Sequence, residues 1–228
     1  MLKKILLGLA VVLVLGLVVV PLVTRPWQVR WGASDDEVNA SLPGDDLVPK
    51  PDSRQTRAIT IDAPPAKVWP WIVQVGYQRA GWYTYDAFYK ATGSAEFVDG
   101  HSSRRIVPEL QDLKVGDKIY IAKPLSYAVV EMAPPQYMVW QGAGTAGRDM
   151  TGTIDPSAAP AKTSNNTWVY MLLPLDGGKR TRLIMRQAGW SNDPTMRAFT
   201  GGPFEFGGFL MARKHLLGIK ARAEGRVR

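Results

Sequence analysis

The chain shows two patterns of apolar and polar residues. An unbroken apolar run lies near the N-terminus, and apolar and polar residues alternate in several segments further on. Residues 5–23 contain no charged side chain, and a run of this length approaches what a helix needs to cross a bilayer. The run is longer than the apolar region of a cleaved signal peptide, and no small-x-small cleavage site ends it. The pattern therefore predicts one uncleaved N-terminal transmembrane helix, with the anchor at residues 1–25.

The rest of the chain predicts an α+β domain, because antiparallel strands are flanked by helices at both ends. Predicted strands lie at residues 57–61, 118–122, 127–132, 137–141, 167–173 and 181–188. Two short helices follow the first strand, and a long helix closes the domain at residues 204–224.

The segments outside these elements are predicted to lack regular structure for the most part. Residues 26–56 form an extended lead-in, with one short helix capped by Ser34 and by Glu37 three residues later. Residues 142–166 predict a long loop, since Gly, Ala, Ser, Pro and Asn dominate them. The domain spans residues 57–224, and residues 225–228 are a basic tail.

The hairpin at residues 167–188 predicts which side chains face the interior. With a turn centred on its glycines, even positions of the first strand oppose odd positions of the second, and opposed residues share a face. One face then carries Trp168, Tyr170, Leu172, Leu183 and Met185, without a charge. We assign this face to the interior; a three-residue loop would reverse the assignment.

Charge and composition exclude several kinds of function. The net charge is +8, but the excess sits at Lys3, Lys4 and residues 213–228, so nucleic-acid binding is not expected. The basic C-terminal end suits anionic lipid headgroups, and it equally suits the solvated end of a helix. There is no cysteine, and neither His101 nor His215 has metal-ligand spacing, so we predict no metal site, cofactor or catalytic residue set.

Residues 59–69 combine a predicted strand, an A-P-x-x-x-V-W pattern and the start of a predicted helix. This segment resembles the opening of the START-like superfamily, also called SRPBCC or polyketide cyclase/dehydrase-like proteins. Residues 131–140 resemble its E-x-x-P-P hairpin, and residues 69–86 resemble an uncharacterised membrane-anchored bacterial branch. The resemblance covers about residues 55–224.

This resemblance implies a helix-grip fold, in which a curved antiparallel sheet wraps around a long C-terminal helix and encloses an apolar cavity. Members of the superfamily bind lipids, sterols, polyketides or aromatic hormones, and a minority are enzymes. We predict as cavity-lining residues Trp82, Tyr83, Tyr85, Trp168, Tyr170, Met185, Phe209 and Arg213. Each of these side chains has the alternative of simply filling the core, and Arg213 has the alternative of extending into solvent.

Three functions fit the sequence. The first is membrane-anchored binding of a lipid-like or other hydrophobic small molecule by a monomer. The second is a cyclase- or dehydratase-type enzyme in the same cavity, and the third is a structural domain with a filled core. Lys3 and Lys4 slightly outweigh Arg25 and Arg30 under the positive-inside rule, which places the N-terminus in the cytoplasm and the domain outside.

Overall fold

The computed structural model describes residues 19–122, 125–146, 162–194, 197 and 203–227. Most of the predicted membrane anchor therefore lies outside the described residues. Residues 19–28 are helical and form α1. Within the described ranges, no helix has both the length and the apolar character that a bilayer crossing requires.

The described residues include six strands, four further α-helices and three short 3₁₀ helices. These α-helices are α2 (Asp35–Asn39), α3 (Pro65–Val73), α4 (Asp86–Ala91) and α5 (Pro203–Ala223). The strands are β1 (Ser53–Ile61), β2 (Lys118–Ala122), β3 (Leu125–Ala133), β4 (Tyr137–Ala146), β5 (Lys162–Leu175) and β6 (Arg180–Ser191). The predicted α+β class is confirmed, and the predicted capping box of α2 is present at Ser34 and Glu37.

The strands form one antiparallel sheet in the order β1-β6-β5-β4-β3-β2. Irregular pairing in β2–β3 and β3–β4 marks two bulges, which bend a sheet locally. The sheet and α5 are arranged in a way that is consistent with a helix-grip. Strands β4 and β5 extend into residues 142–146 and 162–166, which the sequence predicted as loop.

The register of the β5–β6 hairpin confirms the predicted faces. Tyr170 opposes Met185 and Leu172 opposes Leu183, and all four side chains are buried in the main core. The core lies between this face of the sheet, α3 and α5.

Helix α5 turns toward the core a face that only partly matches the predicted apolar stripe. The sequence predicted a stripe of Phe206, Phe209, Leu210, Arg213, Leu216, Leu217 and Lys220. Phe209 and Leu216 are buried as predicted, but Leu210 and Arg213 are exposed. The other buried residues among the described helix residues are Glu205, Ala212, His215, Gly218 and Ile219. Gly218 lets the helix approach the segment around Tyr83 closely, which brings this face of the helix to the core.

The opposite face of the sheet is covered by the lead-in before β1. Arg186 is fully buried there, and it donates to Thr56, Asp45 and the carbonyl oxygens of residues 37, 38 and 40 at 2.5–3.0 Å. Arg182 pairs with Glu37 at 2.6 Å. The lead-in is thus held against the sheet by two arginines of β6.

Candidate functional site

The interior face of the sheet carries an aromatic cluster. Trp82, Tyr83, Trp168, Tyr170 and Met185, all predicted from the sequence, lie in or against it. Trp140 was not predicted as a site residue, but it is fully buried, with its ring centroid 5.2 Å from that of Tyr170 and 5.5 Å from that of Trp168. Large rings from the sheet and from the segment before α4 thus meet under α5.

His215 of α5 is buried at the centre of this cluster. Its Nδ1 lies 2.6 Å from the carbonyl oxygen of Trp82, and its Nε2 lies 2.7 Å from the Tyr170 hydroxyl. Because a carbonyl only accepts, Nδ1 carries the proton and Nε2 accepts from Tyr170. Burial lowers the pKa of His215 to about 4 and raises the pKa of Tyr170 well above its ordinary value, so both groups are neutral near pH 7.

Three tryptophan side chains in the cluster bring buried donors that lack acceptors. The indole N–H groups of Trp82, Trp140 and Trp168 have no hydrogen-bond partner among the described residues. The ring centroids of Trp82 and Trp168 are 5.7 Å apart, and those of Trp82 and Trp140 are 6.4 Å apart. A buried donor without an acceptor is costly, so these three indoles make an unfavourable contribution to the free energy of folding.

The other three predicted residues lie elsewhere. Tyr85 is 47% exposed and sits near Lys214 rather than in the cluster. Arg213 is exposed and stacks over Trp31, because the α5 face that meets the core excludes it. Phe209 is buried, but it packs edge-on against Trp27 of α1, with ring centroids 5.2 Å apart.

A pocket of about 240 Å³ lies beyond the aromatic cluster, between the sheet and the start of α5. Its lining includes Tyr127, Asn166, Gln187, Glu205 and Gly208. Tyr127 separates it from the cluster, since its ring packs edge-on against Trp168 at 6.4 Å. The pocket therefore has one aromatic wall and one polar wall.

The polarity of the interior face changes step by step along the β5–β6 hairpin. From the core to the pocket, the opposed pairs are Tyr170–Met185, Trp168–Gln187, Asn166–Gly189 and Ser164–Ser191. The same trend runs along β1, whose inward residues change from isoleucine at 59 and 61 to arginine at 57 and glutamine at 55. An amphiphilic molecule would find matching surroundings at both of its ends.

A charged network forms the side of the pocket next to α1. Glu205 accepts hydrogen bonds from Arg25 at 2.6 Å and from Gln55 at 2.8 Å. The buried guanidinium of Arg57 donates to the carbonyl oxygen of Gln28 at 2.9 Å and to the Gln55 and Gln187 side chains at 2.5 and 3.3 Å. Burial lowers the pKa of Arg57 to about 10, partly offset by Glu205, so it stays charged near pH 7.

Period-two counting could have found part of this site from the sequence. Asn166 is two residues before Trp168, and Arg57 and Gln55 continue the alternation of Ile61 and Ile59. His215 follows Ala212 by three and precedes Ile219 by four, which is the spacing of one helix face. No sequence signal places Glu205 or Gly208 beside the sheet, since that depends on the docking of α5.

No protein family model matches this sequence, and no curated protein is detectably similar to it. Among solved structures, protein jhp0584 from Helicobacter pylori has a TM-score of 0.42 and 11% identity, covering 80% of this chain and 95% of that one. Protein MLL2253 from Mesorhizobium loti has a TM-score of 0.39 and 16% identity, covering 76% and 99%. CalU16 from Micromonospora echinospora has a TM-score of 0.32 and 13% identity, covering 75% and 84%. These similarities are too low to carry an argument about activity.

Proposed function

We propose that this chain is a START-like protein that binds one small amphiphilic molecule in the pocket between the sheet and α5. The observation that supports this most is the pocket itself, which continues the interior face from the aromatic cluster into a polar wall. Its volume of about 240 Å³ is slightly below the roughly 300–1,000 Å³ usual for ligand pockets, which suits a compact ligand.

The aromatic wall provides the hydrophobic contribution to binding. Tyr127 and Trp190 line the pocket, and aromatic rings bind apolar groups with large contact area. The polar wall would hold the opposite end of the ligand.

The proposal also includes a membrane anchor, with the domain outside the cytoplasm. The apolar run at residues 5–23 supports it, together with the exposure of Val19, Val20, Leu22 and Val23 on α1. Arg25 links α1 to Glu205 at the pocket, so the pocket lies beside the helix that continues from this run. A ligand of the pocket would thus be met close to the bilayer.

Ligand binding is tested by calorimetric titration of the full-length protein with 2-naphthol. This probe is compact, aromatic and uncharged at pH 7. Gly208→Leu is expected to abolish binding, because a side chain at Gly208 extends into the pocket and a Cβ there meets no atom within 4 Å. Gly207→Leu is the matched control, since it is the neighbouring open position and does not line the pocket.

The binding proposal is overturned if 2-naphthol, 2-naphthoate and 2-naphthylmethylammonium all fail to show binding that Gly208→Leu weakens. The anchor is tested separately by alkaline carbonate extraction of membranes from expressing cells. The wild-type chain should stay with the membranes, and Leu13→Arg with Leu15→Arg should release it.

The side of the membrane on which the domain lies is tested with Lys90→Cys, because the chain has no cysteine of its own and residue 90 is exposed. We expect an impermeant maleimide to label this variant on intact cells. Labelling only after lysis would place the domain in the cytoplasm.

A further inference from the structure

We infer that the pocket selects uncharged ligands that carry hydroxyl, carbonyl or amide groups, and discriminates against carboxylates, phosphates and amines. This inference rests on the proposed function and specifies its ligand class. It follows from two observations: the charged groups around the pocket already have partners in the protein, and several neutral polar groups facing it have none.

The carboxylate of Glu205 already has a cation and a hydrogen-bond donor within the protein. Its two oxygens accept from Arg25 at 2.6 and 3.3 Å, and one of them also accepts from Gln55. A ligand amine would therefore compete with a guanidinium that is already in place. A second cation buried at this point would lose its hydration with little compensation.

The nearest buried cation is matched in the same way. All three nitrogens of the Arg57 guanidinium donate to protein oxygens, and its face lies over the ring of Phe209 at 5.7 Å. Asp52 accepts from the backbone N–H of Ser191 at 3.0 Å, and Arg197 has an interaction partner of its own. An anionic ligand would therefore compete with protein groups that already contact Arg57 and Arg197.

The neutral polar side chains of the pocket behave differently. Among the described residues, Ser164, Asn166 and Tyr127 have no side-chain hydrogen-bond partner, and the amide nitrogen of Gln187 also lacks an acceptor. Burial raises the pKa of Tyr127 to about 12, so its hydroxyl remains a donor near pH 7. These groups can donate to and accept from a neutral ligand without burying a net charge.

Glycines on both neighbouring strands give Asn166 its access to the pocket. Asn166 opposes Gly142 on β4 and Gly189 on β6. A Cβ at Gly189 would stand 2.4 Å from the Asn166 side-chain oxygen, and a Cβ at Gly142 would stand 3.1 Å from the Tyr127 ring. The Asn166 amide and the Tyr127 ring thus occupy the space above Gly189 and Gly142, where a side chain at either glycine would displace them.

The test compares three probes with one ring system on the full-length protein at pH 7: 2-naphthol, 2-naphthoate and 2-naphthylmethylammonium. We expect 2-naphthol to bind at least about tenfold more tightly than either ion, because an unpaired buried charge is costly. Gly208→Leu should weaken binding, and Gly207→Leu should not. Asn166→Leu keeps a similar side-chain volume. It should weaken the binding of 2-naphthol more than the binding of the ions, and so reduce the preference for 2-naphthol.

The outcomes separate the two proposals. If either ion binds as tightly as 2-naphthol and is displaced by Gly208→Leu, the pocket binds ligands but the inferred selectivity is wrong. If none of the three shows binding that depends on residue 208, the proposed function fails and the ligand class fails with it. If Asn166→Leu leaves the preference for 2-naphthol unchanged, the Asn166 amide does not contribute to ligand selection, which contradicts its inferred role.

Discussion

Gly218 of α5 lies so close to Tyr83 that a Cβ at residue 218 would stand 2.2 Å from the Tyr83 carbonyl oxygen. This contact sets the depth at which α5 docks over the aromatic cluster. Since His215 and Leu216 reach the core from the same helix, the contact also fixes where they lie.

We therefore expect Gly218→Ala to destabilise the protein by about 1–3 kcal/mol, although alanine favours a helix, because α5 must move away from Tyr83. Gly207→Ala is the control, since a Cβ there meets no atom within 4 Å, and it should stabilise by about 0.5–1 kcal/mol. Urea unfolding measures both. Equal gains in stability would show that α5 tolerates displacement at residue 218.

The buried His215 predicts a loss of stability on mild acidification. Its pKa is about 4 in the folded protein and 6.5 ordinarily, so the unfolded state binds the proton more readily. The stability contributed by neutral His215 is complete above about pH 6.5 and declines as the pH falls toward 4. Between pH 7 and pH 5 the free energy of unfolding should fall by about 2 kcal/mol from this residue.

His215→Gln removes this titration and is expected to flatten the pH dependence over that interval, whatever its effect on stability at pH 7. Tyr170→Phe should keep the dependence, because burial is the main cause of the lowered pKa. Nitrogen NMR of the imidazole provides an independent check, with the proton expected on Nδ1. An equally steep dependence in His215→Gln would contradict the assignment.

Removing the buried guanidinium of Arg186 from the outer face of the sheet should lower the free energy of unfolding substantially. Arg186→Met would leave three backbone carbonyls without this donor and Asp45 without its cation, and we expect a loss on the order of 3–5 kcal/mol in the free energy of unfolding. Arg180→Met on the same strand removes a half-exposed pair with Asp176 and should cost less than about 1 kcal/mol. Denaturant unfolding of both variants decides this, and equal costs would show that the lead-in contributes little.

The pairing of Arg25 with Glu205 predicts a link between α1 and the pocket. Glu205→Gln should reduce stability by about 1–3 kcal/mol, because a buried acceptor loses its charge opposite a guanidinium. Amide exchange in residues 19–28 should accelerate in this variant. Asp112→Asn, which removes an exposed pair with Lys114, is the control and should change neither quantity. Unchanged exchange in α1 would show that Glu205 does not hold it.

The sequence was most informative where one local rule decided the structure. The alternation of Trp168, Tyr170 and Leu172 set the buried face of β5, and the capping pair Ser34 and Glu37 marked the start of α2. It was misleading where polar composition hid a regular element. Residues 162–166 continue β5 because their partners on β4 and β6 supply the hydrogen bonds.

The chain alone determined the antiparallel α+β class, the register of the central hairpin and which of its side chains point inward, because alternation and turn length act over a few residues. Only the tertiary structure decided the rotation of α5, the burial of His215 and the position of the pocket. Those features depend on how closely Gly218 and Ala212 let the helix approach residues far away in the sequence. Such contacts have no local period to reveal them, since the physical quantity that sets them is the fit between two surfaces.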